Sequence, residues 1–254
     1  MNRIALRMDD VGASTKRYNI HSNRKWSLGP LTLSANWLFL KYLPSLKCWG
    51  PYRELGDSEW LGILRLLEQH HAKLTVAVTA CWVDYSGSLT PFPERFPKQA
   101  EILKCGVDSG LIEIANHGLT HCVLNKNAFR PRLFSSNRNF HREFWDWLPD
   151  SLHQEHVARS QEILQQWIGI PVTTFVPPGN VFSATTVDAA FQNGLRIISC
   201  RTEERHQSGI NIIGERDIIA FHDRDVVVNG LDWFRSLLAS VQHREVTFVR
   251  DVRV

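Results

Sequence analysis

Four short stretches of this 254-residue chain carry side chains that could do chemistry together. Asp9-Asp10 ends the apolar run Ile4 to Met8 and precedes Val11-Gly12. Neighbouring strand residues point to opposite faces, but where a strand frays the backbone can turn both carboxylates into one cavity. Two carboxylates at the mouth of a sheet repel each other. A metal ion, or the guanidinium of Arg7 two residues back on the same strand face, is the expected partner. The second stretch, Asn116-His117-Gly118-Leu119-Thr120-His121, directly follows the apolar run Leu111 to Ala115. If the chain turns helical there, residues four apart share a face and can offer two imidazoles to one ion. Gly118 stands where a zinc peptidase of the His-Glu-x-x-His type needs its glutamate base, which excludes that chemistry. The third stretch, Pro177-Pro178-Gly179-Asn180, leaves another apolar run with a rigid turn. The Gly179 amide is then free to donate to a developing oxyanion. The fourth is His222, emerging from Ile219-Ala220-Phe221 into Asp223-Arg224-Asp225.

Elements that could carry these groups to one place are legible from periodicity. Short runs dense in Val, Ile, Leu and Thr, at Ile4 to Met8, Leu74 to Thr79, Leu111 to Ala115, Thr173 to Val176 and Ile197 to Cys200, read as strands buried on both faces. Ile218 to Phe221 and Val246 to Val249 are further candidates. Between them, Asp57-Ser58 predicts the cap of a helix striped by Trp60, Leu61, Leu64 and Leu67 and ending near His70. Ser151 and Gln154 predict a capping box for a helix carrying Val157, Leu164, Trp167 and Ile168, stopped by Gly169-Ile170-Pro171. Ser183 predicts the cap of a helix over Thr185 to Gln192, and the last helix is expected over Leu231 to Val241. The alternation makes this an α/β protein with a mainly parallel sheet. All four polar clusters then sit at carboxyl ends of strands, the face where such proteins build their sites.

Two segments break the alternation. Residues 11–56 hold Trp26, Trp37, Phe39, Tyr42, Trp49 and Tyr52; residues 123–149 hold Phe129, Phe134, Phe140, Phe144, Trp145 and Trp147 among Arg130, Arg132, Arg138 and Arg142. Connections this long are uncommon unless functional, and their aromatic content argues against disorder, so they are expected to wall or cover the pocket. Lys plus Arg number 29 against 26 for Asp plus Glu, a balance with no nucleic-acid footprint. No apolar run approaches the roughly 20 residues that cross a bilayer, and charge follows Met1 too soon for an export signal, so a cytoplasmic protein beginning at Met1 is expected. The five cysteines, Cys48, Cys81, Cys105, Cys122 and Cys200, are odd in number and scattered. They read as reduced, buried thiols.

The order and content of the clusters resemble the polysaccharide deacetylase family, carbohydrate esterase family 4, with its nodulation-type (NodB-like) domain. The resemblance implies an irregular (β/α)7-type barrel, here a single catalytic domain over 1–254 with two long aromatic-rich insertions. It implies that Asp9 is the catalytic base, that Asp10, His117 and His121 hold a divalent metal, Zn²⁺ foremost with Co²⁺, Ni²⁺ or Fe²⁺ as alternatives, that Gly179 donates to the oxyanion and that His222 is the general acid. Val176 and Gly179 stand where the family's third motif carries an arginine and an aromatic, and Arg7 is the candidate replacement for the missing cation. Arg7, Pro178, Asn180 and Trp145 are the expected substrate contacts, and Asp188, Asp217 and Asp232 the candidates to orient His222. The implied activity removes an N-acetyl group from an amino sugar. With no export signal, the substrate is expected to be a nucleotide- or lipid-linked precursor of a surface polysaccharide of the O-antigen type, its phosphates held by arginines such as Arg130 and Arg138. A same-fold amidohydrolase acting on a non-sugar amide, or a carbohydrate-binding protein that has lost catalysis, are the alternatives.

Overall fold

The structure is a computed structural model describing residues 3–18, 20–21, 25–34, 48–49, 53–126, 128, 138–201, 204–205 and 209–252. Its centre is a nine-stranded sheet: β1 (Arg3–Val11), β2 (Leu74–Val78), β3 (Ile112–Asn116), β4 (Thr174–Phe175), β5 (Ile197–Ser199), β6 (Glu204–Arg205), β7 (Asn211–Ile213), β8 (Ile218–His222) and β9 (Glu245–Thr247). The strand order is β6-β7-β5-β4-β3-β2-β1-β8, with β9 also beside β1. Every pairing is parallel except β6 with β7. All seven apolar runs singled out in the sequence are strands here. The polar, two-residue β6 and the three-residue β7 gave no such signal.

The sheet curls. In a flat sheet β1 and β5, four strands apart, would be separated by roughly 19 Å. Instead a guanidinium nitrogen of Arg7 on β1 lies 2.7 Å from Ser199 Oγ on β5, and Ala5 of β1 packs in one cluster with Ile213 of β7. The edges β6 and β8 do not pair with each other among the described residues, so the barrel is irregular and not closed by hydrogen bonds. Alternation along β1 follows from this curl. Leu6 and Met8 enter the main core under the helices, while Arg7 and Asp9 turn to the inner side.

Among the described residues six α-helices surround the sheet: α1 (Asp57–Gln69), α2 (Phe92–Arg95), α3 (Pro97–Asp108), α4 (Asp150–Ile168), α5 (Ala184–Gln192) and α6 (Asp223–Ser240). α1 packs on both α3 and α6, and α4 on α5. Several expected details differ. The cap of α1 is Gly56, whose N–H is held by the Glu59 carboxylate at 2.7 Å, and the buried stripe is Trp60, Ile63, Leu66 and Leu67; Leu61 is 44% exposed. α4 starts after Pro149 with no side-chain cap, so the expected Ser151–Gln154 box is absent. A proline at that position fixes the entry backbone by itself. Ser183 does cap α5, accepting from Thr186 N at 3.3 Å. The last helix begins at Asp223, eight residues before the expected Leu231, and is kinked at Gly230 (φ 77°). Helices α2 and α3 were not anticipated. Cys81, Cys122 and Cys200 are buried free thiols as expected, but Cys105 is exposed on the outer face of α3. The side chain of Cys48 lies outside the described residues.

Phe175 on β4 is fully buried and meets Phe144 edge to face at 5.5 Å, tying the sheet to the segment that follows β3. Phe175→Ala is expected to lower the unfolding free energy by about 3–5 kcal/mol; a denaturant titration showing less than about 1 kcal/mol would mean the site collapses around the void.

Candidate metal centre and surrounding cavity

The carboxyl ends of β1, β3, β4 and β8 bring Asp9, Asp10, His117, His121, Gly179 and His222 to one cavity of about 120 Å³. That is less than the roughly 300–1,000 Å³ of pockets that enclose a whole ligand, so the site admits a reacting group with the rest of the molecule outside.

Asp10 lies at the centre. One ligand atom each from Asp10, His117 and His121 can be chosen so that all lie within 4.8 Å of one another. His117 Nε2 is 3.4 Å and His121 Nε2 3.1 Å from Asp10 Oδ1. His117 Nδ1 is 2.6 Å from the Val176 carbonyl, a group that can only accept, so Nδ1 carries the proton and the Nε2 lone pair of the neutral ring faces Asp10. His121 Nδ1 lies 3.2 Å from Thr15 Oγ1, and its buried Nε2 has no hydrogen-bond partner. Lone pairs of two imidazoles and a carboxylate aimed at one small volume, each ring anchored through its other nitrogen, form a donor set that fits a divalent ion with an N₂O preference.

The local backbone differs from the helical turn expected around His117 and His121. Gly118 (φ 78°) and His121 (φ 56°) are both left-handed, and the rings meet, centroids 4.9 Å apart, across an irregular loop. Glu143, fully buried, accepts from the amides of Leu119 (3.0 Å), Thr120 (3.1 Å) and His121 (2.8 Å) and pairs with His156 Nδ1 at 2.5 Å. Three backbone donors converging on one carboxylate supply what helical hydrogen bonds would have provided. A side chain at position 118 would place its Cβ 2.3 Å from Glu143 Oε2, so the glycine is required by space as well as by φ. Sequence reasoning missed Glu143; a lone glutamate 22 residues beyond the loop it holds has no local signature.

Asp10 is also left-handed (φ 68°). Its carbonyl accepts from Ala13 N and from Lys16 Nζ, both at 3.0 Å. Lys16, 1% exposed, pairs with Asp223 and, at 2.5 Å, with Glu54, whose other oxygen holds the Gly12 amide at 3.2 Å. Burial works to lower the Lys16 pKa, but the two carboxylates reverse it and the shift is upward. Burial pushes Asp223 up to about 7 against the pull of Lys16. This buried cluster braces the turn that aims Asp10, and it was not anticipated.

Arg7 grips Asp9 with both arms of its fork, Nε to Oδ1 and Nη2 to Oδ2 at 2.8 Å each, so the cation beside Asp9 comes from the same strand. Being 1% exposed behind Asp9, Arg7 does not line the cavity and cannot touch a substrate there. Pro178 and Trp145 also stand behind the lining, which is formed by Pro177, Gly179 and Asn180 and by Arg142, whose guanidinium lies 5.5 Å from the Trp145 ring. The Val176 amide is taken by the Asn116 carbonyl at 2.8 Å and Pro177 and Pro178 lack an N–H, so that of Gly179 (φ 63°) is the next amide along the turn. His222 Nε2 is 4.0 Å from Asp10 Oδ2, and the carboxylate beside its Nδ1 is Asp225 at 3.6 Å. Asp217 pairs with Arg244 and Asp232 with Arg235, away from His222. Burial works to lower the His222 pKa, but the Asp225 contact and the Asp10 charge prevail and raise it. Arg130 and the side chain of Arg138 lie outside the described residues; Arg142 and Arg224 are the guanidiniums that line the cavity.

Burial works to raise the Glu143 pKa, yet His156 and the loop amides prevail and depress it. A depressed carboxylate contributes stability above its unfolded value, about 4.3, that is lost as pH falls through the folded one. Glu143→Gln is expected to cost about 3–5 kcal/mol at neutral pH and to flatten the loss of stability below about pH 4. Chemical denaturation across pH 2–7 measures both; an unchanged acid limb would show that the loop is not held by this charge.

A family model described as polysaccharide deacetylase matches residues 55–198. That range includes His117, His121 and the Pro177-Pro178-Gly179 turn but not Asp9, Asp10 or His222. Among solved structures the chain is similar to a candidate polysaccharide deacetylase from Mycobacterium smegmatis, with 12% identity, a TM-score of 0.52, and 76% of this chain and 75% of that one covered. It is also similar to a CE4 family pseudoenzyme from Bacillus anthracis, with 17% identity, a TM-score of 0.50 and coverage of 78% and 61%, so the chain spans about three fifths of the length of that protein. At such identities these are likenesses of fold. No curated protein matches. With more than half of its residues matched by the family model, the chain belongs to the polysaccharide deacetylase family.

Proposed function

We propose that this protein is a metal-dependent hydrolase that removes an N-acetyl group from an amino sugar. The observation that carries the reading is the convergence of one carboxylate and two imidazole nitrogens, from Asp10, His117 and His121, beside a further acid–base pair, Asp9 and His222. Zn²⁺ is the first choice for this donor set, with Co²⁺, Ni²⁺ or Fe²⁺ as alternatives. When bound, such an ion acts as a Lewis acid and brings water to nucleophilic form near neutral pH. The chain's own residues do the rest. Asp9, oriented by the Arg7 fork, accepts the proton of the attacking water. The Gly179 amide faces the oxygen on which negative charge develops. His222, raised in pKa with Asp225 at its Nδ1, delivers a proton to the departing nitrogen, without which an amine anion would have to leave.

The substrate we infer is a nucleotide- or lipid-linked precursor sugar of a surface polysaccharide, of the O-antigen type, handled by a cytoplasmic enzyme whose 254 residues act as one catalytic unit. Supporting this are two cavity-lining guanidiniums, Arg142 and Arg224, neither of which forms an ion pair with a carboxylate among the described residues. A neutral polymer offers them only uncharged hydroxyl and amide acceptors, whereas a phosphate matches both their charge and their forked geometry. No helix among the described residues is long and apolar enough to cross a membrane. A carbohydrate-binding protein that has lost catalysis would share the metal centre but release no acetate.

Asp10→Ala and His117→Ala are expected to purify without stoichiometric metal. Asp9→Asn and His222→Ala should keep it while losing about 10²- to 10⁴-fold in acetate release. Metal analysis and a coupled acetate assay decide this, and full metal content in Asp10→Ala would refute the ligand assignment. Arg142→Ala and Arg224→Ala are expected to raise KM by about tenfold for phosphate-bearing N-acetylated sugars and to leave KM for neutral ones unchanged. Equal effects on both would remove the phosphate from the reading.

A further inference from the structure

The two guanidiniums of the cavity stand beside the reacting centre itself. A Cβ added to Gly179 would lie 2.8 Å from Cγ and 2.9 Å from Nε of Arg142. The Arg142 side chain is therefore packed on the turn whose amide faces the acetyl oxygen, in the space that a side chain at 179 would need. Arg224 follows His222 closely, in the first turn of α6, and its charge lies near enough to oppose protonation of that imidazole. Both arginines line the same cavity of about 120 Å³ as Asp10, His117 and His121. Arg142 thus stands by the oxygen end of the amide to be cut, and Arg224 by the nitrogen end.

A cavity this small does not enclose a second sugar ring. An anion that meets both forks inside it must be carried by the same ring as the acetamido group, on the carbon next to it. Attached farther round the ring, or to the next sugar, it would fall outside. Two forks also favour phosphate over carboxylate, because phosphate brings three acceptor oxygens and close to two negative charges. In a nucleotide- or lipid-linked sugar the phosphate is on the anomeric carbon, and its neighbour is position 2. We propose, resting on the deacetylase reading, that the substrate is a 2-acetamido sugar whose anomeric carbon carries the phosphate, so that the protein acts on the sugar joined directly to the nucleotide or lipid and not on residues farther along a glycan. Water adds to the acetyl carbon, the C–N bond breaks, the nitrogen takes a proton, and acetate and an amino sugar result with the phosphate ester whole. The reaction that forms the glycosyl phosphate must come before this one, and the glycosyl transfer that breaks it must come after.

Zn²⁺-loaded Asp9→Asn protein, or His222→Ala should the first not fold, is titrated calorimetrically with four probes: N-acetylglucosamine, its 1-phosphate, its 6-phosphate and N-acetylmuramic acid. The last carries a carboxylate on the other side of the acetamido group. The 1-phosphate is expected to bind about tenfold tighter than each of the others, and adding Arg142→Ala or Arg224→Ala to remove the difference. Equal binding of the two phosphates, equal binding of the 1-phosphate and N-acetylmuramic acid, or no binding of the 1-phosphate overturns the proposal. Acetate release by the unaltered protein separates this inference from the reading beneath it. Release from all four at similar kcat/KM leaves a deacetylase with no demand for a neighbouring phosphate and overturns the proposal. Selective binding of the 1-phosphate with no acetate released keeps the position of the anion and removes the deacetylase.

Discussion

A carboxylate and two imidazole lone pairs directed into the same few ångströms is an arrangement that proteins hold only when the surroundings force it. Asp10 comes from one strand and His117 and His121 from the loop beyond another, and each is fixed by something other than its neighbours in the triad. His117 hangs from the Val176 carbonyl just beyond β4, His121 from Thr15, and the Asp10 carbonyl is gripped by Lys16. These outer contacts set the tautomer and ring angle, which separates a preorganised ligand set from a chance cluster. Two of the residues adjoining or forming the triad, Asp10 and His121, hold left-handed backbone that costs of order 1–3 kcal/mol each.

That strain is offset by buried charge. Glu143 closes three loop amides around one carboxylate, and Lys16 joins Asp223, Glu54 and the Asp10 carbonyl. Both are fully enclosed, where an unpaired charge would be prohibitive, so each has meaning only with all its partners present. Arg7 follows the same logic on the inner wall of the sheet, reaching Asp9 on its own strand and Ser199 across the curl. The floor of the site is therefore polar and rigid, while Arg142, Arg224 and Asn180 rim it from loops and helix starts that can vary independently.

Much of the architecture was legible in one dimension. Dense runs of Val, Ile and Leu mark strands because both faces are covered, so no alternation is needed to recognise them. Seven such runs became seven strands of the main sheet. The four polar clusters stood out because each followed a run directly, and a parallel sheet sends all such ends to one face. Less legible were caps and limits. Gly56 and Pro149 begin helices without a capping side chain of their own, and Leu61 was misplaced because periodicity alone does not say which way a stripe is rotated. Helix α6 began early because His222 and Asp225 close its first turn, a polar device that an apolar template overlooks.

The amino-acid order by itself determined which groups could act: a carboxylate pair, two imidazoles four residues apart, a proline-stiffened amide and a lone histidine, each at a strand's end. Only the tertiary structure decided that Arg7 would turn away from the cavity to clasp Asp9, that Asp225 and not Asp188, Asp217 or Asp232 would stand beside His222, and that Glu143 and Lys16 would hold the ligand loops. The division has a physical cause. Periodicity records how a residue relates to its own element, whereas pairing across 22 or 207 positions depends on where separate elements meet, and that is set by how far the sheet curls and how the helices pack upon it.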